Sequence, residues 1–238
     1  MKDIEIKGLS KNFGSKVAVD NISLEVGRGE LFGLLGVNGA GKTTTIRMLC
    51  CLTQPSGGDA IVCGHSIVHE AQDVKSVISV SPQETSVAPN LTVRENLRLI
   101  AGICGRSVEQ AERVIGDFAL GEIAGVRAKK LSGGWQRRLS IAMAMVSEPQ
   151  VLFLDEPTLG LDVLARRELW GHIKSLKGRI TMVLTTHYLE EVEALCDRVA
   201  VMACGRILAM GTVPELTAAT GTDSLEEAFI AISEGRGK

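Results

Sequence analysis

Eight consecutive residues, Gly36-Val37-Asn38-Gly39-Ala40-Gly41-Lys42-Thr43, carry the spacing G-x-x-x-x-G-K-[ST], which suits the holding of nucleotide phosphates. Its glycines let successive backbone N–H groups point at phosphate oxygens, and a helix start just beyond adds positive potential. Lys42 is placed to reach the β- and γ-phosphates and Thr43 to ligate magnesium. The nucleotide-binding candidates are therefore Gly36, Asn38, Gly39, Ala40, Gly41, Lys42, Thr43 and Thr44. A second reactive group ends the apolar run Val151-Leu152-Phe153-Leu154, where Asp155 and Glu156 stand side by side. Carboxylates leaving a strand at a sheet edge lie where ligands bind in open α/β folds. Asp155 is placed to hold magnesium and Glu156 to polarise an attacking water, because phosphoryl transfer depends on a positioned nucleophile and stabilised charge. Third, Leu131-Ser132-Gly133-Gly134 sets an N-cap residue and two glycines at a helix start, followed by Trp135, Leu139, Met143 and Val146 on one face. Ser132 and the glycine amides make a second phosphate-sized nest. One nucleotide rarely needs two nests from one chain, so each is expected to serve the nucleotide of a partner molecule.

Such residues need elements to hold them. Alternation over 17–26, after a short apolar start at 4–6, predicts two half-buried strands and an antiparallel opening. Continuous apolar runs at 31–35, 77–80, 151–154, 182–185 and 199–202 predict strands buried on both faces of a parallel sheet. Helical patterns at 43–51 and 163–176 alternate with them. From 85 to 149 the strand signal disappears, and 93–103, 108–118 and 134–146 read as helices. The expected fold is a single α/β domain, with 1–84 and 150–238 as the core and 85–149 as an inserted helical subdomain.

The 238 residues can hide roughly 70 to 75% of the surface of the unfolded chain, enough for a sizeable core. Hydrophobic residues at 45% and charged residues at 23% exclude an intrinsically disordered chain. A net charge of −2 supplies no general attraction to nucleic acid or anionic lipid, and no nucleic-acid partner is expected. No apolar stretch approaches the length of a membrane span, and the start MKDIEIKGLS lacks the apolar core of a signal peptide. The expected compartment is the cytoplasm, with six cysteines that show no C-x-x-C spacing read as reduced and structural. His65 and His69 have an i, i+4 spacing but no further ligand at suitable spacing, so they read as exposed polar residues. Arg127, Lys129, Lys130, Arg137 and Arg138 read as a solvated or phosphate-facing basic surface.

With these motifs in place, the chain resembles the ATP-binding cassette ATPases, the nucleotide-binding subunits of ABC transporters. The order of phosphate loop, Gln83, Leu131-Ser132-Gly133-Gly134, Asp155-Glu156, Leu161-Asp162 and His187 reproduces the family order over nearly the whole chain. The position after the signature, often Gln in that family, is Trp135 here. The resemblance implies a P-loop NTPase (RecA-like) core with an N-terminal antiparallel β subdomain and an inserted α-helical subdomain. It implies ATP and Mg2+ as ligands, and a head-to-tail dimer, homomeric by expectation, around two ATP molecules. Each ATP would lie between one phosphate loop and Ser132, Gly133 and Gly134 of the other protomer. Gln83 would contact magnesium and the attacking water, His187 the γ-phosphate, Asp162 the partner across the dimer, and Phe13 the adenine ring, where the family more often has Tyr. A separately encoded integral-membrane permease would be the driven partner, which places the subunit at the inner face of the cell membrane. The stretch 187–193 resembles ATPases of drug, polysaccharide and lipid exporters, so export is expected. The rival, a soluble ABC ATPase of translation or DNA repair, usually brings tandem cassettes or a long coiled coil, and neither is present in this sequence.

Overall fold

The computed structural model describes residues 1–235. Its first two strands, β1 (Lys2–Phe13) and β2 (Lys16–Gly27), form a hairpin in which Ile4 faces Val26, Ile6 faces Leu24 and Leu9 faces Ile22. All six side chains are buried, so alternation gives the pair one apolar face. Next come β3 (Leu31–Leu35) and α1 (Lys42–Leu49), then β4 (Gly57–Val62) and the two-residue β5 (His65–Ser66). These two strands extend the hairpin into a sheet of order β2-β1-β4-β5. Gly58 has φ +72 and lies so close to β1 that a Cβ would overlap the carbonyl of Gly8, which is why only glycine serves there.

A short helix, α2 (Ala71–Val77), leads into β6 (Ile78–Ser81). The chain then leaves the sheet for three helices, α3 (Val93–Ile103), α4 (Val108–Asp117) and α5 (Gly133–Met145). Helix α3 opens on a capping box, in which Thr92 Oγ1 accepts from the Glu95 amide at 3.2 Å and Glu95 Oε2 from the Thr92 amide at 2.8 Å. Buried Leu97, Ala101, Val114, Ile115 and Leu139 hold the three helices together. The three helices form an insertion in the chain between β6 and the strand that follows.

The chain returns through β7 (Val151–Asp155), α6 (Val163–Leu176), β8 (Thr181–Thr186), α7 (Leu189–Leu195), β9 (Arg198–Ala203) and β10 (Arg206–Gly211), and ends in α8 (Val213–Thr220) and α9 (Leu225–Ser233). The second sheet has the order β10-β9-β3-β8-β7-β6. Every pair is parallel except β9 with β10. Its central strands are buried on both faces, with Phe153 and Val183 packed toward the antiparallel sheet and Leu152, Leu154, Met182 and Leu184 toward the helices. This two-sided burial is the reason for their unbroken apolar runs. Among the described residues no helix is long and apolar enough to cross a membrane.

Candidate functional site

Three neighbouring strands, β3, β8 and β7, end at one edge of the parallel sheet, and each delivers a reactive segment there. Beyond β3, the loop 36–41 packs so closely that a Cβ on Gly36 would overlap the carbonyl of Met202, and one on Gly41, at φ +106, would lie 2.6 Å from Ala18 O. No side chain caps α1, so its first turn presents backbone amides to the loop. Lys42 is only 4% exposed. Its Nζ donates to Gly36 O at 2.7 Å and Val37 O at 3.2 Å, and lies 3.5 Å from Glu156 Oε1. These partners make a buried ammonium tolerable.

Strand β7 delivers the acids. Asp155 Oδ1 accepts from Thr43 Oγ1 at 3.0 Å and from Thr185 Oγ1 at 2.6 Å. Thr43 and Asp155 thus place two hard oxygen donors side by side, the ligand chemistry magnesium prefers, and the residues fit that ion. Glu156 has φ +46, uncommon for a residue with a side chain. Its amide is held by Thr185, through the carbonyl at 3.1 Å and the hydroxyl at 3.0 Å. The turned backbone aims the carboxylate between Lys42 and His187, whose Nδ1 lies 3.3 Å from Glu156 Oε2 without hydrogen-bond geometry.

Asn38, Gly39, Ala40, Gly41, Lys42, Thr43, Thr44, Gln83, Glu156 and His187 line one cleft of about 390 Å³. Gly36 lies beneath the loop, and Asp155 sits behind Thr43. Phe13 stands outside, 54% exposed near the tip of the β1–β2 hairpin, with Lys11 Nζ 5.0 Å from its ring centre. Ser132, Gly133, Gly134 and Asp162 also lie elsewhere, on a surface of their own. Ser132 caps α5, and a Cβ added at Gly134 would lie 2.9 Å from Ala165 Cβ, so α5 starts against the start of α6. Asp162 caps α6, its Oδ1 accepting from the amides of Leu164 at 3.0 Å and Ala165 at 2.9 Å. Val163 and Leu164 beside it are 59% and 75% exposed.

Sequence reasoning missed Lys16, Ala18 and Leu159, which also line the cleft, and Thr185, which holds both acids. No motif marks them; the position of Lys16 near Phe13 was the one available hint. The reading of Arg127, Lys129, Lys130, Arg137 and Arg138 as one basic surface is corrected. Three of them are exposed, but Arg137 and Arg138 are buried because α5 packs their side of the helix inward. Arg138 pairs with Glu168 at 2.8 Å and stacks 4.1 Å from the Trp135 ring centre, which gives that indole a packing role. Burial pushes the Arg137 pKa down to about 10, opposed by Asp155, Glu191 and Glu156, so it remains a cation at neutral pH. His69 is exposed, as expected, and His65 is half-buried. Glu70 and Asp73 approach His65, with Nδ1 3.6 Å from Glu70 Oε1, in a group outside the nucleotide cleft. The six cysteines are free thiols, and burial raises the pKa of Cys50 and Cys196.

A family model described as ABC transporter matches residues 19–159. Over 228 residues the chain is 41% identical to a daunorubicin resistance ATP-binding protein of Streptomyces coeruleorubidus, covering 94% of this chain and 72% of that protein. Over 240 residues it is 40% identical to a probable multidrug ABC transporter ATP-binding protein of Escherichia coli (strain K12), covering 96% of this chain. Here the chain spans 41% of the relative's length. A Nod factor export ATP-binding protein I of Paraburkholderia xenovorans (strain LB400) is 43% identical over 229 residues, covering 94% of this chain and 75% of that protein. Among solved structures, an ATP binding subunit of an ABC transporter is similar with a TM-score of 0.85 at 29% identity, covering 97% of this chain and 99% of that one. The ADP conformation of an ATP-binding cassette gives a TM-score of 0.85 at 25% identity over the same shares.

Proposed function

Because the chain belongs to the ABC transporter family, we propose that it is the ATP-hydrolysing subunit of an exporter, closing head-to-tail with a second copy around two ATP molecules. One observation carries this reading: the phosphate loop with its acids and the Ser132 nest occupy different surfaces of the same chain. Each surface is half of a site, and two chains related by a twofold axis complete two.

In the completed site Lys42 meets the β- and γ-phosphates and the loop amides hold their oxygens. Phe13 stacks on adenine. Ser132, Gly133 and Gly134 of the second copy close on the γ-phosphate, with Asp162 at the seam between copies. Glu156 and Gln83 orient the attacking water, and His187, beside Glu156 at 3.3 Å, steadies the γ-phosphate. Magnesium, held by Thr43 and Asp155 with Gln83 nearby, would supply the neutralising charge between the phosphates.

The driven partner is a separately encoded integral-membrane permease, which puts the subunit at the cytoplasmic face of the membrane. A groove of about 350 Å³ between the core and the helical subdomain supports this, with Leu52, Ile78, Val80, Ile100 and Met143 in its apolar lining. It suits a short amphipathic permease segment, and residues 85–149 would act as the moving subdomain that carries it. Export follows from the relatives that are named for drug resistance and Nod factor export.

The test is the solution mass of Glu156→Gln by light scattering, alongside its ATPase rate. Loss of the carboxylate is expected to slow hydrolysis by about a hundredfold to ten-thousandfold and to trap the closed state. The mass should double only when Mg·ATP is added. A monomer that persists with nucleotide bound would overturn the shared site.

A further inference from the structure

Arg137 lies on α5, five positions after Ser132, and is 4% exposed. The hydrogen-bond partners of its guanidinium are backbone carbonyls. Nε donates to Pro157 O at 2.7 Å, Nη2 to Asp155 O at 2.7 Å, and Nη1 to Gln83 O at 3.2 Å and to Pro82 O. The four acceptors belong to two segments, 82–83 beyond β6 and 155–157 at the end of β7. These are the places where neighbouring parallel strands run out of ladder and their carbonyls need other donors. A planar fork with five N–H donors can meet several carbonyls in one fixed geometry, whereas an ammonium offers no such plane.

Two of the carbonyls flank Glu156, whose backbone is held at φ +46, and a third belongs to Gln83 itself. We infer that Arg137 is a positioning residue for hydrolysis, which fixes the backbones of Gln83 and Glu156 to each other and to the Ser132 end of α5. The inference rests on the ATPase reading above and adds a route within it. Any tilt of the helical subdomain must carry Arg137 with it, and through these carbonyls it displaces the pair that orients the water. Displacement of that size at a reacting centre falls on the chemical step rather than on nucleotide affinity.

The experiment is a double-mutant cycle in the full chain, with kcat and KM for ATP measured for wild type, Arg137→Gln, Gln83→Ala and the double variant. Binding of a fluorescent ATP analogue and thermal melting accompany each. Arg137→Gln should lower kcat about ten- to a hundredfold while KM and nucleotide affinity stay within about twofold. Arg137→Lys should recover part of the loss, and it takes the place of the Gln variant in the cycle should that variant fail to fold. If Arg137 acts through Gln83, the double variant is no slower than the slower single variant. Multiplying effects overturn the route through Gln83, and a folded Arg137 variant with unchanged kcat overturns the inference whole, in each case leaving the ATPase reading intact. Absence of ATPase activity in the wild type overturns both.

Discussion

Lys42 has no water-like environment to fall back on. Its ammonium is enclosed by two carbonyls of its own loop and by Glu156, and it belongs to the lining of the cleft. Truncating it removes a charge-assisted donor and leaves Glu156 without its nearest cation. Lys42→Ala should weaken ATP binding about ten- to a hundredfold, measured by titration calorimetry. At this scale the readable residues were those in local runs: the phosphate loop, the adjacent acids and the Ser132 nest each draw their residues from within a few positions. Gln83, His187, Asp162 and Phe13 entered only through their order along the chain. Arg137 and Thr185 were invisible because their roles depend on what lies across the sheet. A buried arginine bonded to carbonyls has the same one-letter signature as a solvated one.

Among elements, the helices of the insertion stand on local rules. Thr92 both caps α3 and receives Glu95 in return, and the next buried polar group, Asn96, holds the preceding loop through the Ala88 amide at 2.8 Å and carbonyl at 3.2 Å. Thr92→Ala removes one half of the box. It should cost about 1 kcal/mol and lower the melting temperature by about 2–4 °C, read by calorimetry. Helix α6 matches its expected span of 163–176, and α3 matches 93–103, because apolar spacing and caps agree there. The buried strands were legible from their unbroken apolar runs. Strands β4 and β5 and helix α2 were not, since β4 opens on Gly57-Gly58-Asp59 and β5 has two residues, too few for a period to show.

For the whole molecule, the decisive arrangement is that the nucleotide cleft and the Ser132 nest do not share a surface. Ser132→Arg puts a long cation into the small nest at the start of α5, where a second chain's phosphates would close. Equilibrium binding of ATP to the single chain should be retained within about twofold, because the cleft of that chain is untouched. ATPase activity should be lost, and Glu156→Gln carrying the same change should no longer double in mass with Mg·ATP. Unchanged hydrolysis would refute the two-chain site.

Strand β8 also has an implication for how the protein comes into being. It lies between β3 and β7, both of which precede it in the chain, and β3 finds its other neighbour in β9. During synthesis the phosphate-loop strand therefore has no parallel-sheet partner until residues 181–186 have emerged, about 140 positions after the loop itself. Nucleotide affinity is consequently a late property of the nascent chain. A ribosome stalled before Thr181 carries a complete phosphate-loop motif that has no sheet edge to stand on.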